Sequence, residues 1–206
     1  MTRIVCLGDS ITDCGRFFSA SPLGNGYVKM LFHSLALAGS PHEIINCGID
    51  GFTVARLLEN AASYAAKNAD IITILIGIND IGLMMNTCRT PAQQADMMRQ
   101  FTENYDKLLT ILINSTNKVI LMEPFIFPWP AEYRNWIPHV VTMSGKIRTL
   151  ADKYKLPYIR LYQSLNEEAR RYGLDMITPD GIHLTAQGHE ILAQQLFCKF
   201  QHKLQR

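Results

Sequence analysis

The chain is 206 residues long, 48% hydrophobic and 18% charged, a composition that suits a single globular domain over 1–206 with a substantial buried core. A formal charge of +2 without a long Lys/Arg run lacks the footprint of a nucleic-acid or anionic-membrane binder, and no apolar stretch reaches the roughly 18 residues of a membrane helix. The five cysteines, Cys6, Cys14, Cys47, Cys88 and Cys198, are scattered with no CxxC or metal-ligand spacing, so reduced thiols and no metal site are expected.

The opening MTRIVCLGDS passes from one basic residue into a short strand-like run and a glycine turn, unlike a secretory leader, and a cytoplasmic location is expected. Beyond it, short Ile, Val and Leu runs alternate with longer helical patterns, the signature of a parallel α/β sheet with crossover helices. The first strand is expected at 3–7 and runs into Gly8-Asp9-Ser10. Here Ser10-Ile11-Thr12-Asp13 has the spacing of a helix capping box, so Ser10 reads as an N-cap or as a nucleophile.

A helix over 27–37 leads to a second strand at 43–47 and the turn NCGIDG, 46–51. A helix over 54–67 with Thr53 as N-cap precedes the third strand, 70–76, whose unbroken apolar run predicts burial on both faces and a central place. That strand ends in GIND, 77–80. Thr90 as N-cap, Pro91 in the first turn and Gln93 reaching back open a long helix over 91–113. The fourth strand, 118–122, meets the aromatic and proline-rich segment 123–136, which reads as a wall for a sugar or acyl chain, or as core or a subunit contact in a homo-oligomer. A helix over 133–154, a fifth strand at 157–161, a helix over 163–172, the turn TPDGIH at 178–183 and a helix over 186–200 capped by Thr185 complete the pattern.

Ligands in open α/β sheets bind outside the carboxyl ends of the strands, so the four polar turns are expected to open on one edge. Together they hold the parts of an acyl-transfer site. Ser10 offers a hydroxyl, and His183 a base, with Asp180 three residues before it to fix the tautomer. The Ser10 amide, the Gly51 amide and the Asn79 side chain offer donors to an oxyanion, with Gly48 a competitor for the glycine role. Each motif alone also fits an ordinary turn; the ordered set is what points to chemistry.

GDS at the first strand, the glycine of NCGIDG, the asparagine of GIND and the Asp-x-x-His of DGIH resemble the four blocks of the SGNH hydrolases, also called the GDSL esterase/lipase family. The resemblance runs from Gly8 to His183, with Ile11 and Leu184 as small departures. It implies a flavodoxin-like three-layer α/β/α fold with a central five-stranded parallel sheet. It also implies Ser10, His183 and Asp180 as the catalytic triad and Ser10, Gly51 and Asn79 as the oxyanion hole. GDSITDCGR with LGNGYV is similar to intracellular bacterial members that remove acetyl groups from sugars, which implies a serine esterase acting on short, acetyl-type esters of a small molecule or oligosaccharide, with no cofactor. A thioesterase or lysophospholipase for longer acyl chains and a non-catalytic binding protein on the same scaffold are the alternatives. A nucleotide-binding protein is disfavoured because the first turn lacks a Gly-rich phosphate cradle.

Overall fold

The computed structural model describes residues 1–39, 42–116 and 118–204, with side chains as far as Gln201. Five strands, β1 (Thr2–Gly8), β2 (His42–Gly48), β3 (Ile71–Leu75), β4 (Val119–Met122) and β5 (Tyr158–Ile159), pair in parallel in the order β2-β1-β3-β4-β5. The helices are α1 (Ser10–Asp13), α2 (Tyr27–Leu37), α3 (Val54–Glu59), α4 (Ala61–Ala65), α5 (Ile78–Met85), α6 (Pro91–Ile113), α7 (Ile137–Tyr154), α8 (Tyr162–Tyr172) and α9 (Ala186–Leu204). Contacts join α2 and α8 to α9, and α3, α4, α5 and α7 to α6, giving the expected α/β/α layering.

The third strand is central, as its apolar run predicts: all five residues of β3 are buried. Ile72 and Ile74 are fully inaccessible, and truncating either to alanine would cost about 2–5 kcal/mol. Parallel register brings Gly8 opposite both Gly48 and Leu75. Three chain segments therefore leave the sheet side by side at its carboxyl edge.

Several boundaries differ from expectation, each for a local reason. β5 has two residues rather than five, because the N–H groups of Leu161 and Tyr162 donate to the Glu123 carboxylate at 2.8 and 2.9 Å. The helix expected over 54–67 breaks at Asn60, whose side chain donates to the Arg56 carbonyl at 2.9 Å and competes with the helical ladder. GIND is the start of α5 rather than a turn; Ile78, Ile81 and Met84 of that helix are buried. α7 begins at Ile137, after a 3₁₀ turn over Ala131–Asn135, and α9 runs on past 200 to Leu204. Thr90 forms the expected capping box with Gln93.

Candidate active site

β1 carries the chain to the carboxyl edge, where Asp9, not Ser10, caps the first helix: its Oδ1 accepts the Ile11 N–H at 3.1 Å. The capping-box expectation for Ser10 is thus corrected. Asp13 instead accepts the N–H groups of Arg16 and Asp50, at 3.1 and 3.3 Å. Ser10 is the first helical residue, and its Oγ lies 2.9 Å from Nε2 of His183. Asp9 is 1% exposed; burial pushes its carboxyl up to about 7, while the Ile11 N–H and the charge of His183 pull it down.

The glycine-bearing turn after β2 separates the two candidates for an oxyanion donor. Gly48 has its N–H on Asn46 Oδ1 at 2.9 Å, and a Cβ there would strike Asp13 N and the Thr12 carbonyl carbon. Its absent side chain lets α1 pack on β2. Gly51 sits at φ +72°, in the left-handed region, in a turn closed by the Phe52 N–H on the Ile49 carbonyl at 3.2 Å. Asn79, in the first turn of α5, donates from Nδ2 to the Phe52 carbonyl at 2.9 Å, which ties it to that turn. Asp80 next to it accepts the Val54 N–H at 3.1 Å and so caps α3 together with Thr53.

Asp180 and His183 come from the irregular loop between α8 and α9. His183 Nδ1 lies 2.6 Å from Asp180 Oδ2. An ionised carboxylate only accepts, so the proton is assigned to Nδ1 and Nε2 is left to accept the Ser10 hydroxyl. Oδ1 of Asp180 accepts the N–H groups of Ile182 and His183 at 2.9 and 2.8 Å. Partial burial lifts the Asp180 carboxyl, but the hydrogen bonds from His183 and Ile182 outweigh it and hold it below the usual carboxylate range.

Sequence reasoning missed what holds this loop. Thr178, 1% exposed, donates from Oγ1 to the His183 carbonyl at 2.6 Å and accepts the Gly181 N–H at 2.8 Å. The Gly181 carbonyl accepts the Phe127 N–H at 2.9 Å. Gly181 has φ +89°, and a Cβ there would overlap the Trp129 carbonyl. The only local signal for Thr178 is its place two residues before Asp180 in a Thr-Pro-Asp-Gly turn. His189 of α9 was also missed. Burial pushes it down to about 4; its Nδ1 accepts the Tyr27 N–H at 3.2 Å, and its Nε2 lies 3.4 Å from Cys14 Sγ.

The aromatic segment 123–136 is partly core and partly surface. Phe125, Phe127 and Trp136 are core, whereas Trp129 is 48% exposed beside the Asp180 loop. Among the described residues, no helix is long and apolar enough to cross a membrane, and no group of three or more His, Cys, Asp or Glu is placed to hold a metal ion.

A parallel five-stranded α/β sheet with a serine, a histidine and an acid gathered at its carboxyl edge has the architecture of an ester hydrolase. The chain belongs to the GDSL-like lipase/acylhydrolase family, whose model matches residues 6–191, and is a carboxylic ester hydrolase. It is 26% identical, over 93% of its length and 90% of the relative's, to an acetylxylan esterase of Geobacillus stearothermophilus. The crystal structure of an acetylxylan esterase from that organism superposes with a TM-score of 0.81 at 23% identity, covering 96% of this chain and 93% of the other. An alpha/beta hydrolase enzyme from the metagenome of Lake Arreo, Spain, superposes with a TM-score of 0.83 at 20% identity, covering 96% and 94%.

Proposed function

We propose that the protein removes short acyl groups, acetyl foremost, from carbohydrate esters by way of an acyl-enzyme, with residues 1–206 acting as one domain. The observation that carries this reading is the continuous relay from Ser10 Oγ to His183 Nε2 at 2.9 Å and from His183 Nδ1 to Asp180 Oδ2 at 2.6 Å. His183 takes the Ser10 proton as Oγ attacks the ester carbonyl, and Asp180 stabilises the imidazolium that forms. The Ser10 amide, the Gly51 amide and the Asn79 side chain receive the oxyanion. Gly51 is favoured over Gly48 because the Gly48 N–H is already bonded to Asn46. The tetrahedral adduct collapses, and the departing alkoxide takes the proton from His183. Water, deprotonated by the same imidazole, then attacks the acyl-serine and releases the acid, returning the proton to Ser10.

The acetylxylan esterase relative supports an acetylated oligosaccharide as substrate. Trp129, exposed and with its backbone against the Asp180 loop, is a candidate stacking surface for such a sugar. Hydrolysis of p-nitrophenyl acetate, p-nitrophenyl octanoate and acetylated xylo-oligosaccharide by the wild type and by Ser10→Ala tests the reading. Serine-dependent acetate release that falls steeply with chain length is expected. Faster turnover of octanoate would move the assignment to a long-chain acyl hydrolase, and serine-independent turnover would end it.

A further inference from the structure

Away from Ser10, between α7 and the edge strand β5, lies a recess of about 290 Å³ lined by Glu123, Ser144, Arg148, Tyr158, Arg160 and Gln163. The guanidiniums of Arg148 and Arg160, like those of Arg134 and Arg170 elsewhere on the surface, have no ion pair or hydrogen bond among the described residues; what sets them apart is that both line one recess. Ser144 is 7% exposed; among the described residues its hydroxyl does not bond the helical carbonyl four residues back, and it stands beside the Tyr158 hydroxyl, which donates to the Ser144 carbonyl at 3.2 Å. A helical serine or threonine ordinarily donates to the carbonyl four residues back. Thr142 and Thr149 of the same helix do so, at 2.8 and 3.0 Å. Beside Ser144 stands Gly145, where a Cβ would meet nothing within 4 Å. A glycine in a helix interior costs about 1 kcal/mol against alanine, and no neighbour requires one here; its effect is to keep the wall of the recess open.

These features fit an anion. A guanidinium presents a planar fork that matches a carboxylate or phosphate. Charge decides between the two. The Glu123 carboxylate, fixed in the same recess by the N–H groups of Leu161 and Tyr162, leaves a surplus of one positive charge over the two arginines. A monoanion balances that surplus, whereas a phosphate monoester, at roughly −1.5 to −2 near neutral pH, would leave the recess with a net negative charge. Glu123 and Gln163 are partners for hydroxyl groups, and the rings of Tyr158 and Tyr162 give flat apolar walls.

We propose that this recess binds a small hydroxylated monocarboxylate, of which a sugar acid is the simplest example. The site is separate from Ser10 and does not rest on the hydrolytic assignment. Calorimetric titration of the whole chain with sodium glucuronate, glucose and glucose 6-phosphate tests it. Glucuronate is expected to bind at least about tenfold more tightly than the other two, and Arg148→Ala and Arg160→Ala each to weaken it by about tenfold or more. Arg160→Lys, which keeps the charge and loses the fork, should recover only part of the affinity. All three side-chain changes lie on the surface, and unchanged melting temperature and p-nitrophenyl acetate turnover are expected. Absence of glucuronate binding, or binding that survives both alanine substitutions, overturns the proposal. Tighter binding of glucose 6-phosphate overturns the carboxylate assignment.

Discussion

The two sides of the Ser10–His183 contact are built differently. On the serine side, Asp9, Thr12 and Asp13 are 1%, 1% and 6% exposed, and the serine leaves an inner strand flanked by β2 and β3. On the histidine side, the His183 and Asp180 side chains are 47% and 50% exposed, on a loop outside the sheet. A side-chain hydrogen bond so exposed contributes only about 1 kcal/mol or less, so it does not by itself shape the loop. Thr178, the Phe127 N–H and the two N–H groups held by Asp180 Oδ1 do. Ser10 is thus placed by the fold, and His183 by a few hydrogen bonds around one loop.

Substitutions can break that contrast. Ser10→Ala should show the largest effect, approaching the roughly million-fold loss of turnover seen when a triad serine is removed, with the melting temperature unchanged. Asp180→Asn, which unsettles the tautomer while keeping the shape of the loop, should cost about 10⁴ in kcat for p-nitrophenyl acetate. Asn79→Ala removes a side-chain donor and should lower kcat by about 10²–10³; a retained rate would take Asn79 out of the oxyanion hole.

Thr178→Val is the sharper test, because it touches no reacting atom and leaves the Gly181 N–H and the His183 carbonyl without their hydroxyl partner. About 1–3 kcal/mol per unpaired group should appear as a lower melting temperature and a fall in kcat with little change in KM, both restored by Thr178→Ser. A loss of stability with kcat intact would show that the placement of His183 by this loop does not set the rate.

The smallest effect concerns Asp9. Its folded carboxyl titrates near 7 against about 3.9 when unfolded, so the native state holds the extra proton between those values. Stability from this group therefore falls as pH rises from about 4 towards about 7. Asp9→Asn keeps the acceptor for Ile11 and removes the charge. Its melting temperature should gain on the wild type across that interval and hold the gain above it, whereas parallel curves would deny the shift.

The strands were legible because each is a short apolar run between turn residues, and the order of the turns put Ser10, Asn79, Asp180 and His183 forward as one group. What escaped was decided by contacts that sequence spacing does not encode. Glu123 takes the N–H groups that would have lengthened β5 from 38 and 39 residues away. The polar start of GIND hid α5, where burial of Ile78, Ile81 and Met84 outweighs turn propensity. Asp9 displaced Ser10 as the cap although both spacings are plausible, because only the first has its oxygen on the Ile11 N–H. Thr178 could not be read as the brace of the loop, since its partners depend on how the chain closes on itself.

The two-residue length of β5 also bears on how the molecule behaves beside its own copies. An open sheet ends in strands whose free N–H and C=O groups can template pairing with another chain. At the β5 side that ladder is almost gone: it has been cut to Tyr158–Ile159, and Arg160 stands exposed next to it. The opposite margin, β2, runs for seven residues, so aggregation by strand addition, if the protein is driven to it, should start there.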